Sequence, residues 1–166
     1  MQAAEVVTKS PETIWHDQDR MEVLTFDLNG EIFALEAAVV REILDLVPAT
    51  VVPRAPDFVG RIINFRGRVI PLADIRLPFG MEPREPTIDS RIVVISLLLE
   101  GEEVLVGLLT DRVHEVTHLF RTASEPPPSV GMRWRPDYIH CLVKRNGDFI
   151  IVPDLQAIFA SIDHRS

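Results

Sequence analysis

The sequence predicts an all-β fold of short strands closed into barrels or sandwiches, and three observations predict it. Its 166 residues include 13 prolines and 8 glycines, spaced too closely for long helices. Proline breaks helix interiors and cannot donate within a central ladder, so this spacing fits short strands joined by turns. Apolar runs of about five to nine residues recur along the chain, and many alternate with polar residues as half-buried strands do. Two Asn-Gly pairs, Asn29-Gly30 and Asn146-Gly147, separate such runs. This dipeptide is a strong hairpin signal, because both turn residues must take positive φ. The length suits one ordinary domain or two small subdomains with a shared core, and 46% apolar with 25% charged residues is a globular composition.

Taken in order, Met1 to Arg20 is polar and without periodicity, and Ser10-Pro11 favours an extended or turned backbone. Residues 1–20 are therefore expected to be a flexible tail, Trp15 included, ahead of a domain over 21–166. Val23 to Leu28 alternates as a strand, Asn29-Gly30 turns, and Glu31 to Leu35 returns beside it. Glu36 to Val40 fits a single helical turn, and Glu42 to Val47 another strand. Pro48, Pro53 and Pro56 keep the next stretch extended or turned. Two strands over Arg61 to Leu72 flank Gly67, whose freedom at positive φ suits a bulged hairpin.

Met81 to Ser90 is a polar connector, followed by an apolar β-branched strand, Arg91 to Leu99. Glu100-Gly101-Glu102 turns into Val104 to Thr110, and Val113 to Leu119 alternates again. Pro126-Pro127-Pro128 is a polyproline II spacer. Tyr138 to Lys144 and Asp148 to Val152 flank the second Asn-Gly turn. A helix over Asp154 to Ile162 closes the chain: Asp154 is placed to cap it, with Leu155, Ile158, Phe159 and Ile162 on one face. About ten strands and one helix result.

A weak internal repeat accompanies the strands. Ala34-Leu35, Val40, Glu42 and Ile43 correspond, 73 residues on, to Gly107-Leu108, Val113, Glu115 and Val116. Val69-Ile70-Pro71 with Asp74-Ile75 resembles Ile151-Val152-Pro153 with Asp154-Leu155 at an offset nearer 80, so the second half needs a longer loop. Two related half-barrels are implied.

Charge and motif exclude several functions. A net charge of −8 disfavours nucleic acid and anionic membranes as partners. No apolar run approaches the ~18 residues of a membrane span, and no basic-then-apolar leader opens the chain. The lone Cys141 cannot form an internal disulfide, which suits a reducing cytoplasm. No cofactor or metal is called for. His140-Cys141 has the residue types of a nucleophile and its base, but neighbours on a strand point to opposite faces. His114 and His118 have no ligand cluster beside them, and read as surface residues. Asp74, Asp111 and Asp154 sit at strand ends or a helix start, where capping accounts for them. The unusual feature is basic: Arg54, Arg61, Arg66, Arg68 and Arg76 against Asp57 and Asp74, interleaved with Phe58, Ile62, Ile63, Phe65 and Val69. Arginine beside apolar surface marks protein–protein contacts, because its planar head pairs with carboxylates while its stem packs.

The stretch Pro56 to Arg76 resembles the signature of the CheW-like domain of bacterial chemosensory adaptors. It holds an Asn-x-Arg-Gly turn (Asn64, Arg66, Gly67), then Val-Ile-Pro, then Asp74-Ile75-Arg76. Val40-x-Glu42-Ile43, the Arg91 to Leu99 strand, Val106 to Val116 and Val152-Pro153-Asp154-Leu155 extend the likeness over Glu22 to Ile162. The resemblance implies two intertwined five-stranded SH3-like β-barrels and no enzymatic activity. It implies an adaptor, cytoplasmic and recruited to membrane-associated receptor arrays. There it couples the cytoplasmic tip of methyl-accepting chemoreceptors to the regulatory domain of a CheA-type histidine kinase. The kinase-facing contact falls on the first barrel, which carries Asn64–Arg76, and the receptor-facing contact on a groove near Val40, Glu42, Arg66, Val113 and Val116. Arg61, Asn64 and Gly67 complete the expected partner-binding set. Arg61 stands where the family often has glycine, and His140-Cys141-Leu142 replaces a glycine-rich strand start. The competing reading is a ligand-binding or catalytic β-barrel, which would need a deep pocket with convergent polar groups.

Overall fold

The computed structural model describes residues 13–128 and 135–160. Twelve strands fall among them, in two six-stranded sheets. They are β1 (Arg20–Leu28), β2 (Glu31–Glu36), β3 (Val40–Leu44), β4 (Thr50–Val51), β5 (Arg61–Phe65) and β6 (Arg68–Ala73). The second half supplies β7 (Arg91–Leu99), β8 (Glu102–Thr110), β9 (Arg112–Phe120), β10 (Ser124–Glu125), β11 (Ile139–Arg145) and β12 (Asp148–Pro153), followed by helix α1 (Leu155–Ala160). Each sheet has five longer strands and one of two residues, so the five-strand expectation omits β4 and β10. The expected end of the helix, Ile162, lies outside the described residues.

Strand order makes the sheets interlock. The first runs β3-β7-β8-β6-β5-β4, the second β9-β1-β2-β12-β11-β10. The opening hairpin β1–β2 thus joins strands from the second half, and β3–β6 join the hairpin β7–β8. In each sheet one parallel pairing closes the exchange, Leu72 beside Gly107 in the first and Ile151 beside Phe33 in the second. The internal repeat has this topology as its physical basis.

All four long hairpins turn on two residues ending in glycine: Asn29-Gly30, Arg66-Gly67, Glu100-Gly101 and Asn146-Gly147, every one at positive φ. Such type I′ turns match the right-handed twist of the strands they join. The β5–β6 turn is therefore not the bulged hairpin expected, since Phe65 pairs directly with Arg68 and no register shift occurs. Shifts fall instead beside Val40/Glu42, between Leu24 and Phe26 opposite β9, and between Ile139 and Cys141 opposite β12, the first two at positions related by the repeat.

Three apolar clusters fill the molecule. Ile63, Phe65, Ile70, Leu72, Ile92, Val94 and Leu109 form the core of the first barrel. Met21, Val23, Ala34, Cys141, Val143 and Ile150 are central to that of the second. The largest lies between the barrels, where Leu24, Phe26, Phe33 and Leu35 meet Val93, Ile95, Leu97 and Leu108. Strands β1, β2, β7 and β8 are consequently buried on both faces, which is why Arg91–Leu99 is almost continuously apolar. The dominant cluster is thus shared by the two barrels.

The tail expectation needs correction. Residues 1–12 lie outside the described residues, but Thr13–Trp15 form a 3-10 turn and β1 already begins at Arg20. Trp15 is 1% exposed and packs into the second barrel. A large indole buries enough apolar area to order a short segment that has no periodicity of its own.

Candidate functional site

The β5–β6 turn is the base of the site. Gly67 takes φ 80° freely, whereas Arg66 at φ 53° is a non-glycine residue in the left-handed region and needs support. Gly67 N–H donates to Asn64 Oδ1 at 3.1 Å, bracing the turn from inside. Arg66 donates to Glu42 Oε1 through Nε at 2.9 Å and Nη2 at 2.5 Å, reaching from the hairpin to β3. Its guanidinium also stands over the Phe65 ring, 5.5 Å from the centroid. The Arg66 side chain is 71% exposed and that of Glu42 32%, so the pair orients a solvent-facing cation more than it stabilises the fold.

A second ion pair continues this surface. Arg41 donates to Glu103 at 3.2 Å and to the Ala38 carbonyl at 2.9 Å, while Ser96 Oγ donates to Glu103 at 2.5 Å. The Ser96 hydroxyl, then Arg41, hold the Glu103 carboxyl below the usual carboxylate range. Arg41 and Glu103 line both a cleft of about 390 Å³ beside Arg66 and a groove of about 700 Å³ between the barrels. Leu35, Val39, Leu97, Leu98 and Leu155 give that groove an apolar floor. Its polar groups are engaged: His16 with Glu36 at 3.2 Å, His140 with Asp154 at 3.8 Å, and Gln156 Nε2 with the Leu98 carbonyl at 3.0 Å.

The structure thus brings Glu42, Asn64, Arg66 and Gly67 into one constellation, with Val40 two residues from Glu42 on β3. Val40 pairs with Ile95 and packs on the inter-barrel core. Val113 and Val116 lie on β9, at the edge of the other sheet, opposite Phe26 and Leu24. Val113 packs on the same core as Val40, while Val116 is 58% exposed. Arg61 stands at the far end of β5, near Asp57 and Asp74.

The five arginines do not form one patch. Four are exposed, but Arg76 is buried, with Nε 2.9 Å from Asp74 Oδ1 and Nη1 2.6 Å from Asp111 Oδ1. Nη1 also reaches Asn29 Oδ1 at 3.3 Å, and Asn29 N–H donates to Asp111 Oδ2 at 2.7 Å. Burial pulls this guanidinium's pKa down, but hydrogen bonds and charge from Asp74 and Asp111 outweigh it and leave the pKa raised. Asp74 and Asp111 thus clamp the barrels together. Asp154 caps α1 as expected, accepting from Ala157 N–H at 3.0 Å. Cys141 points into the second barrel while the adjacent His140 lines the groove. His114 contacts Asp27 at 2.8 Å, and no group of three potential metal ligands occurs among the described residues.

Sequence reasoning missed Ser96, Glu103 and Arg41, which converge from β7, β8 and β3 only once the sheets interlock. It also missed the Ile14–Trp15 anchor, whose signal was the adjacent apolar pair between the polar stretches 8–12 and 16–20.

Residues 22–163 match the CheW-like domain. The chain belongs to that family. "Chemotaxis protein CheW" of Rhizobium meliloti (strain 1021) is 29% identical over 140 residues, covering 84% of this chain and 88% of the relative. The protein of the same name from Treponema pallidum (strain Nichols) is 26% identical over 147 residues, 87% and 85% of the two chains. Among solved structures, the scaffolding protein TtCheW of Thermoanaerobacter tengcongensis superposes with a TM-score of 0.73 at 32% identity, over 84% of this chain and 92% of that one. The CheW-like match spans both barrels, so the Asn64–Gly67 turn, the Arg66–Glu42 pair and the inter-barrel groove all lie within it.

Proposed function

We propose that this CheW-like protein is a non-enzymatic adaptor of a chemosensory array. It couples the cytoplasmic tip of methyl-accepting chemoreceptors to the regulatory domain of a CheA-type histidine kinase. It works in the cytoplasm, at membrane-associated receptors. The receptor-facing surface is centred on Val40, Glu42 and Arg66 of the first barrel, where the Arg66 cleft shares Arg41 and Glu103 with the inter-barrel groove; Val113 and Val116, the second barrel's members of the expected set, lie on edge strand β9 beyond Asp111 and outside the groove lining. Asn64 and Gly67 act through the turn that presents Arg66, and the first barrel, Arg61 included, offers the kinase-facing surface.

The observation that carries this reading is the exposed Arg66–Glu42 pair, held on a strained turn in a cleft that shares Arg41 and Glu103 with the apolar groove. Exposed ion pairs contribute little to stability, so an arginine fixed at positive φ by a carboxylate on another strand is more useful to a partner than to the fold. A cation beside an apolar trough suits a helical segment with an apolar stripe and a flanking carboxylate. The test replaces Arg66 by Ala and, separately, Glu42 by Ala. Each should weaken binding of a purified receptor tip by ~1–3 kcal/mol, the range of an interface hot spot. Unfolding free energy should change by less than ~1 kcal/mol. Undiminished binding to the tip in both variants, or no binding by the wild-type protein, would overturn the assignment.

A further inference from the structure

We propose that residues 13–19 are a strap that builds one wall of the inter-barrel groove, with Trp15 as the positioning residue that holds it there. The inference rests on the receptor-facing reading of that groove and adds an element to it.

Three observations point to this role. First, Trp15 is a plug inside the second barrel; its neighbour Ile14 shares that core and, with the exposed His16, also lines the groove. His16 Nε2 lies 3.2 Å from Glu36 Oε2 on the rim, and the other end of the strap is tied by Arg121 N–H donating to the Asp19 carbonyl at 2.9 Å. Anchoring the indole therefore fixes where the exposed His16 imidazole, backed by the nearly buried Ile14, stands in the groove.

Second, the strap is held against local preference. His16 and Asp17 take φ 50° and 61°, closing a turn in which Gln18 N–H donates to the Trp15 carbonyl at 2.8 Å. Two successive non-glycine residues in the left-handed region are unfavourable without outside support. Trp15 Nε1 is also the one buried side-chain polar atom without a hydrogen-bond partner among the described residues. The indole is retained for bulk, not for its N–H, and the strain it sustains lies in the two residues next to the groove.

Third, the repeat shows that a barrel of this type closes without such a plug. The hairpins β1–β2 and β7–β8 turn 71 residues apart, so the counterpart of the strap is the stretch just before β7. The counterpart of Trp15 is Pro86, which is exposed, and no residue of that stretch belongs to the first barrel's core. What distinguishes the strapped barrel is the wall it presents to the groove.

Full-length Trp15→Ala, Trp15→Phe and a protein lacking residues 1–19 should be compared with wild type, each first checked for cooperative unfolding. Binding is measured to two probes, a purified receptor-tip fragment and the purified kinase regulatory domain. Trp15→Ala and the truncation should each weaken tip binding at least fivefold and leave kinase binding within twofold. Trp15→Phe keeps the plug and removes the unpaired N–H, so it should bind both probes within twofold of wild type. Equal losses for both probes would make Trp15 a structural plug only and overturn the proposal, as would wild-type tip binding by the alanine and truncated proteins. If Arg66→Ala weakens tip binding while the strap variants do not, the strap inference fails alone. If wild type does not bind the tip, both readings fall.

Discussion

Arg76 gives the most demanding test of how the barrels are joined. Its guanidinium is 1% exposed and held by Asp74 and Asp111, whose side chains are 17% and 23% exposed. Arg76→Met keeps most of the stem but leaves two carboxylates facing each other and Asn29 Oδ1 without its donor. Breaking a buried ion pair by removing one partner costs about 3–5 kcal/mol. The carboxylates retain some solvent, which places the expectation near the lower end, at about 3 kcal/mol. For a chain of this size each kcal/mol moves the melting temperature by roughly 2–4 °C, so Tm should fall by about 6–12 °C. Thermal and urea unfolding of the purified variant would measure it. Asp111→Asn removes one charge while Asp74 still pairs with Arg76, and should cost less. The double variant should cost less than the sum of the two, because the groups share one network. A Tm loss under about 2 °C for Arg76→Met would show that the clamp contributes packing alone and refute the electrostatic account.

Three further substitutions probe the frame around the site. Gly67→Val should destabilise by ~1–2 kcal/mol in urea unfolding; a Cβ there meets nothing within 4 Å, so the cost is purely that of φ 80°, and no loss would contradict the turn type. Gly107→Ala should cost ~1–3 kcal/mol, because the added Cβ would lie 2.9 Å from Ile92 Cγ2 inside the first barrel; unchanged stability would mean that the Ile92 side chain yields freely. Asp154→Ala removes the cap on Ala157 N–H and should lower stability by ~0.5–2 kcal/mol, with a neutral result assigning that N–H to another acceptor.

The fold was legible because its punctuation is local. Asn29-Gly30, Gly67, Gly101 and Asn146-Gly147 mark the hairpins by a conformational need that no neighbour has to supply. Strand boundaries such as Arg91–Leu99 followed from apolar runs that end at turns. The interlocking of the halves was visible only through the repeat and the family resemblance, since pairings such as Leu72 with Gly107 join residues distant in sequence. Arg76 illustrates the limit at the site. As one of five arginines in 23 residues it looked like part of an exposed patch, and nothing beside it in sequence revealed that Asn29 and Asp111 would enclose it. Trp15 failed for the opposite reason: its surroundings are polar, and a single side chain overrode them by entering a core built from five strands, β1, β2, β9, β11 and β12.

A duplicated fold begins with two equivalent ends between its barrels, and an adaptor site requires that they differ. At one end Asp74 and Arg76 meet Asp111 and Asn29, filling the space with a closed network. The repeat places Asp154, Gln156, Ala38 and Glu100 at the corresponding positions of the other end. Asp154 retains the capping role, but Gln156 spends its amide on the Leu98 carbonyl and Ala38 brings no carboxylate. The clamp cannot form there, and the barrels enclose the 700 Å³ groove instead. The Arg41–Glu103 pair and the His16–Glu36 pair sit on its rim, so the charges at this end stand at its mouth and do not lock it. A few differences at repeat-related positions thus make one end a closed joint and leave the other an open apolar groove, which is the end where a partner is proposed to dock.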